Sequence, residues 1–132
     1  MRRTPVALVA LALPALALSV AACGSDSGSG GPTTVPPPAD VTIVAVEGIR
    51  WDQEAYTATS TDGKVVIQGR NDSSLGHNLY VVAADGTQVA EHEDLGKKGD
   101  SVTEAFDITP GEYTVICKIP GHSGMKSSLT VS

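Results

Sequence analysis

Three side chains that bind metal ions well lie close together near the end of the sequence. Cys117, His122 and Met125 fall within nine residues and carry a thiol, an imidazole and a thioether. His77 adds a second imidazole forty residues before the cysteine. Thiolates, imidazoles and thioethers are soft or borderline ligands, which bind transition metals such as copper and zinc. The sequence therefore predicts a metal site made from these four residues.

The combination of ligands indicates copper. Two histidines, one cysteine and a weak axial methionine form the ligand set of a mononuclear blue-copper centre, which carries single electrons. The thiolate binds Cu(II) strongly, the imidazoles suit both oxidation states, and the thioether favours Cu(I). Pro120 and Gly121 lie between the cysteine and the second histidine, where they allow a tight and rigid turn. We therefore expect these four side chains to bind one copper ion.

Other uses of the same residues agree less well with the sequence. Structural zinc takes cysteine, histidine or carboxylate ligands, and a thioether is a poor ligand for it. A cysteine hydrolase would need a nucleophile signature, and Cys117 is expected at a strand end rather than at a helix start. A dinuclear copper centre needs a second cysteine in the loop, and a multicopper enzyme needs more histidines than His92 alone. An enzyme is therefore not expected, whereas copper storage or delivery is an alternative to electron transfer.

The elements that must position these ligands are β-strands. Short β-branched and apolar runs alternate with turn signals such as Asp62-Gly63, Asp85-Gly86 and Pro110-Gly111. About seven strands in about ninety residues predict an all-β fold, an antiparallel β-sandwich. The clearest runs cover residues 41–46, 64–69, 77–82, 101–107, 112–117 and 127–131. The segments around Trp51 and Tyr56 and over residues 91–100 are not assigned, and the acidic run around His92 predicts a solvated loop.

The period of two along a strand predicts which side chains share a face. Tyr113, Val115 and Cys117 lie on one face of their strand, and His77, Leu79 and Val81 lie on one face of another. Both candidate ligands thus have apolar neighbours and stand at a strand end. We expect the core face to open into a metal pocket there.

The domain from about residue 40 resembles the cupredoxins, the plastocyanin and azurin family. The resemblance is carried by Gly76-His77-Asn78, by the run from Pro110 to Cys117, and by the Cys-x4-His-x2-Met loop. It implies a Greek-key β-sandwich of seven to eight strands with one copper ion. The implied ligands are His77, Cys117, His122 and Met125.

The resemblance also implies roles around the ligands. Asn78 follows the first histidine, and in the family the residue at this position helps to tie the two ligand loops together. The edge of His122 is expected to reach the surface, ringed by apolar Leu75, Ile119 and Pro120. The Cys-to-His spacing is longer than in typical plastocyanins, so the subfamily stays open.

The first forty residues are predicted to export and anchor the domain. A basic start and an apolar run ending at Ala22 indicate a signal peptide over residues 1–22. Small residues before Cys23 resemble the lipobox of bacterial lipoproteins, which implies a lipid on this cysteine. Residues 23–39 would then be the anchor and a flexible Gly/Ser/Pro linker. The domain of residues 40–132 is expected outside the cytoplasmic membrane.

Charge and cysteine content limit the partners. Without Arg2 and Arg3, seven basic and 15 acidic residues remain, a net charge of −8. Nucleic acid is therefore not expected as a partner, whereas a redox protein is. The acidic residues form a solvated surface by default, and a basic surface on the redox partner is the alternative use for them. Lipidation of Cys23 leaves Cys117 unpaired in an exported protein, and metal binding explains such a cysteine. We expect a monomer.

Overall fold

The computed structural model describes residues 35–132, which form nine β-strands. The signal peptide, Cys23 and most of the linker lie outside the described residues. In chain order the strands are β1 (Val41–Val46), β2 (Arg50–Trp51), β3 (Ala55–Ala58), β4 (Lys64–Asn71), β5 (His77–Ala83), β6 (Gln88–Leu95), β7 (Ser101–Asp107), β8 (Gly111–Ile116) and β9 (Lys126–Val131). No part of residues 35–132 forms a helix with the length and apolar character needed to cross a bilayer.

The strands form two sheets that pack as a sandwich. One sheet has the order β2-β1-β4-β7 and the other has the order β3-β9-β8-β5-β6. The core between them contains fully buried Ile43, Ile67, Leu79, Val115 and Leu129. Buried residues alternate with more exposed ones along β3, β4 and β9, as expected where one face of a sheet lies in the core. The predicted all-β sandwich is confirmed.

Two strand pairs differ from the expected antiparallel arrangement. Strand β1 pairs with β4 in parallel, with Val41 opposite Ile67. Strand β3 pairs in parallel with β9, with Ala55 opposite Ser128. The two strands of each parallel pair are separated in the chain by other strands, because a short hairpin can join only antiparallel neighbours.

The strands predicted from the sequence are present, and β2, β3 and β6 are additional. Strand β6 corrects the expectation of a solvated loop around His92, whose side chain is only 2% exposed. Glu91 and Glu93 face solvent on either side of it, which is the alternation of a strand with one face in the core. The sequence did not reveal that position 92 faces the core, because histidine is a polar residue.

Candidate metal centre

Strand pairing brings the first histidine and the cysteine to the same end of the sandwich. Strands β5 and β8 are antiparallel neighbours, with Tyr80 opposite Ile116. The start of β5 and the end of β8 therefore lie side by side, which places His77 near Cys117. Gly76, which precedes the histidine, runs close to the β6–β7 connection. A Cβ atom on Gly76 would lie 3.0 Å from the carbonyl oxygen of Gly96, so a larger residue would not fit without movement.

Two successive turns bring His122 and Met125 back towards the cysteine. The N–H of His122 donates to the carbonyl of Ile119 at 3.0 Å. Between them Pro120 and Gly121, the latter with φ of 91°, occupy the positions that a type II turn prefers for these residues. The N–H of Met125 then donates to the carbonyl of His122 at 2.8 Å, which forms the second turn.

The three strongest ligand candidates converge. One ligand atom from each of His77, Cys117 and His122 lies within 4.8 Å of the other two. Cys117 Sγ is 3.6 Å from His122 Nδ1, and the two imidazole centroids are 4.9 Å apart. All three side chains are buried, with exposed fractions of 1%, 5% and 9% in chain order. A single ion can reach all three atoms with small side-chain movements.

The nitrogen atoms of His77 differ in their surroundings. Nε2 lies 3.1 Å from the hydroxyl oxygen of Ser73. Nδ1 is buried and has no hydrogen-bond partner among the residues that the structure describes. Burial, and then the nearby His122, lower the pKa of His77, while Glu47 acts in the opposite direction. The imidazole is therefore held in the neutral form that binds metals.

Asn78 connects the two ligand segments directly. Its Oδ1 accepts the backbone N–H of Lys118 at 2.7 Å and lies 3.4 Å from Cys117 Sγ, whose thiol points towards it. One amide oxygen thus joins the second residue of β5 to the residue after the cysteine. This contact limits how far the loop can move relative to His77.

Met125 lies at the base of the loop. Its side chain is 1% exposed, and its carbonyl accepts the N–H of Cys117 at 3.3 Å. This bond continues the ladder between β8 and β9 beyond the last paired residues. The methionine is therefore kept next to the cysteine by the backbone as well as by the turn at His122.

The segments that carry the ligands present some apolar side chains to solvent. Leu75 is 43% exposed, Ile119 is half-buried, and Pro120 is exposed. His122 retains 9% exposure, which makes it the most accessible of the three clustered ligands.

His92 does not join the cluster. Its Nε2 lies 3.1 Å from the carbonyl oxygen of Ile67 in the opposite sheet, and its ring packs against Phe106. The sequence analysis also left this histidine out of the ligand set, but its placement on the surface was wrong, because the side chain is buried. Sequence reasoning missed Ser73, since a single serine before a histidine carries no distinctive sequence signal.

The site fits copper by the chemistry of its donors. A buried thiol beside two imidazoles, one of them with an unpartnered nitrogen, is a soft and preorganised ligand set. Cys117 is a free thiol and the only cysteine in residues 35–132. Together, the two-sheet sandwich and this His-Cys-His cluster define a mononuclear copper protein.

Comparison with known proteins identifies the family. The profile of the copper binding proteins of the plastocyanin/azurin family matches residues 38–132. The chain therefore belongs to this family, and it is a blue copper electron-transfer protein rather than an enzyme. Among curated protein sequences, none is significantly similar to it.

Solved structures share the fold. The dithionite-reduced auracyanin of the photosynthetic bacterium Roseiflexus castenholzii has a TM-score of 0.59 at 24% identity, over 69% of this chain and 94% of its own. Auracyanin A, a "blue" copper protein of Chloroflexus aurantiacus, has a TM-score of 0.57 at 24% identity, over 70% and 97%. An azurin of Methylomonas sp. strain J has a TM-score of 0.57 at 14% identity, over 70% and 96%.

Proposed function

We propose that the protein carries single electrons between redox proteins outside the cytoplasmic membrane, with one copper ion bound by His77, Cys117, His122 and Met125. The observation that carries this proposal is the convergence of three buried ligand atoms within 4.8 Å of one another. When bound, copper supplies the one-electron couple between Cu(I) and Cu(II). Met125, which is buried and bonded through its backbone to the cysteine, would supply the fourth and weakest ligand, a thioether.

The protein contributes a site that does not need to rearrange. Two turns, the bond from Cys117 N–H to Met125 and the bond from Lys118 N–H to Asn78 all restrain the ligand loop. Such a loop holds the thiolate and the imidazoles in one arrangement while the charge of the metal changes. A small rearrangement gives fast electron transfer, which is what a carrier requires.

Burial of the ligands favours electron transfer over copper delivery. Delivery requires a partner's ligands to replace those of the protein one by one, so the donor atoms must be accessible. Here none of the clustered ligands is more than 9% exposed. An electron can leave through the imidazole edge of His122 without any ligand being displaced. The half-buried Ile119 beside it offers a small apolar contact of the kind that transient redox complexes use.

The colour of the copper-loaded protein tests the site. Charge transfer from thiolate to Cu(II) should make it intensely blue, and Cys117→Ser should abolish the colour while the protein stays folded. A colourless wild type with full copper occupancy would contradict the proposal. Fast electron self-exchange would support a carrier, whereas efficient transfer of copper to a metal-free acceptor protein would favour delivery.

We propose further that a lipid on Cys23 anchors the domain to a bacterial membrane. The described part of the chain supports this arrangement, because it enters the domain at the end away from the ligands. Asp40 exchanges two bonds with Val66 near the start of β4, whereas His77 follows the end of that strand. A tether at that end leaves the metal site free to meet a partner.

A membrane-fractionation experiment tests the anchor. The Cys23→Ser variant should move from the membrane fraction to the soluble fraction. The wild-type protein should carry a diacylglyceryl adduct by mass spectrometry. Unchanged fractionation of the variant, with no adduct on the wild type, would show that this cysteine is not an anchor.

A further inference from the structure

The end of β4 and the connection from β4 to β5 contain buried polar side chains that the proposed function does not use. Asn71 and Ser73 are both fully buried, although each carries groups that need hydrogen bonds. Burial of an amide or a hydroxyl costs free energy unless its hydrogen bonds are replaced within the protein. The contacts that replace them therefore indicate what these two side chains do.

Asn71 fixes the path of the backbone around the serine. Its Oδ1 accepts the N–H of Ser73 at 2.8 Å, and its Nδ2 donates to the carbonyls of Leu75 and Leu95 at 2.7 and 2.8 Å. The Ser73 hydroxyl oxygen in turn accepts the N–H of Leu75 at 3.0 Å. The position of this oxygen is thus set by Asn71 at the end of β4, by Leu75 in the connection, and by the end of β6.

The serine oxygen contacts Nε2 of the His77 imidazole, the ring nitrogen other than the unpartnered Nδ1. The separation from Nε2 is 3.1 Å, and either atom can be the donor, depending on the tautomer. If the hydroxyl donated, Nδ1 would carry the proton and could not bind a metal ion. If Nε2–H donates, Nδ1 keeps a bare lone pair, and this buried nitrogen has no hydrogen-bond partner within residues 35–132. The second arrangement is the one that suits metal binding.

We infer that Ser73 is a positioning residue for the metal site, which holds His77 as the Nε2–H tautomer with Nδ1 directed at the copper position. This inference rests on the proposed role of His77 as a ligand. Histidine ligands commonly donate their second ring N–H to a protein acceptor, which fixes both the tautomer and the ring orientation. Copper can then bind without ring rotation or a change of tautomer.

Ser73→Ala tests this role, and Ser74→Ala is its matched control. Ser74 is the neighbouring serine, but it is exposed and bonds Glu47 instead of a ligand. Ser73→Ala should weaken Cu(I) binding by about 10- to 100-fold, measured by competition with a chelator. Ser74→Ala should bind Cu(I) as the wild type does. Ser73→Thr, which keeps the hydroxyl, should restore most of the affinity.

Nuclear magnetic resonance measures a property, the tautomer of His77, that would not change if Ser73 only stabilised the fold. In the metal-free wild type, the ring-nitrogen chemical shifts of His77 should report a proton on Nε2. In Ser73→Ala they should report a mixture of tautomers. A proton on Nδ1 in the wild type would overturn the inference. This measurement uses only the wild-type protein, so it is valid even if Ser73→Ala fails to fold.

The outcomes separate this inference from the proposed function. A blue wild-type protein whose Ser73→Ala variant keeps both its affinity and its tautomer would overturn only the role of the serine. A wild type that binds no copper would overturn the proposed function, and the tautomer of His77 in the metal-free protein would still be measurable. Equal losses of affinity in Ser73→Ala and Ser74→Ala would also contradict a specific role for Ser73.

Discussion

Asn78 Oδ1 accepts the backbone N–H of Lys118 at 2.7 Å, across forty residues of sequence. The bond joins the residue after the first histidine ligand to the residue after the cysteine ligand. Because it runs from a side chain to the backbone, it fixes the loop path whatever residue occupies position 118. The relative placement of His77 and Cys117 therefore depends on a single amide oxygen in addition to the pairing of β5 with β8.

Removal of this amide should loosen the site. Asn78→Ala leaves the Lys118 N–H without its partner, so the free energy of unfolding should fall by about 1 kcal/mol. Urea denaturation of the metal-free protein measures it. Gln88→Ala is the control, because Gln88 bonds the same lysine through its side chain at an exposed site. That variant should change stability by less than about 0.5 kcal/mol. Equal effects of the two changes would contradict a special role for Asn78.

Substitution of Met125 should shift the reduction potential without removing copper. Met125→Gln supplies a harder oxygen that favours Cu(II), so the potential should fall. Met125→Leu keeps the apolar bulk but removes a weak electron donor, a loss that destabilises Cu(II) more than Cu(I), so the potential should rise. A tenfold change in the relative affinity for the two oxidation states corresponds to about 59 mV, and shifts of this order are expected. Voltammetry measures them. Two unshifted potentials would leave a three-ligand site in which Met125 only packs.

His92 should make the protein less stable in weak acid. Burial lowers its pKa, while its bond to Ile67 and the charge of Glu104 act in the opposite direction. The unfolded chain therefore binds a proton at about pH 6.5, at which the folded protein still excludes it. The contribution of His92 to stability is therefore fully present above this pH. It is lost as the pH falls, by up to about 1.4 kcal/mol per pH unit, until the pKa of His92 in the folded protein is reached.

Comparison with His92→Gln isolates this contribution. Glutamine can still donate to the carbonyl of Ile67 but does not titrate near neutral pH. The free energies of unfolding of the metal-free proteins should be measured at pH 7.5 and at pH 5.5. The loss of stability between pH 7.5 and pH 5.5 should be larger in the wild type, because only the wild type contains His92. His77 contributes equally to both proteins, so it does not affect the difference. An identical loss would show that His92 takes up its proton in the folded state as readily as in the unfolded one.

A charge beside His122 should slow electron exchange. Ile119→Lys places an ammonium group in the apolar surface over the imidazole edge, where a docked partner would have to desolvate it. The self-exchange rate should fall at least tenfold, which is about 1.4 kcal/mol in the barrier. Thr87→Lys adds the same charge in the turn after β5, at the opposite end of that strand from His77. It should have a smaller effect. Unaltered kinetics in Ile119→Lys would place the electron route elsewhere.

Much of this protein could be read from local sequence patterns. Six strands were predictable because their apolar and polar residues alternate with the period of a strand and are bounded by turn residues. The loop ligands were predictable because Cys117, His122 and Met125 are close in sequence and chemically unusual together. Their approach in space needs only two turns, which Pro120 and Gly121 favour by their own backbone preferences.

Tertiary structure decided what depends on contacts between distant segments. The parallel pairing of β1 with β4 was not predictable, because alternation indicates a strand but not the direction of its neighbour. The burial of His92 depends on the carbonyl of Ile67 in the other sheet, which supplies the hydrogen bond that makes a polar core residue tolerable. Ser73 acquires its contact with His77 only when Asn71 and the end of β6 fix the connection between them. Sequence patterns report the local preferences of the chain, whereas the satisfaction of buried polar groups is settled only when the two sheets have packed.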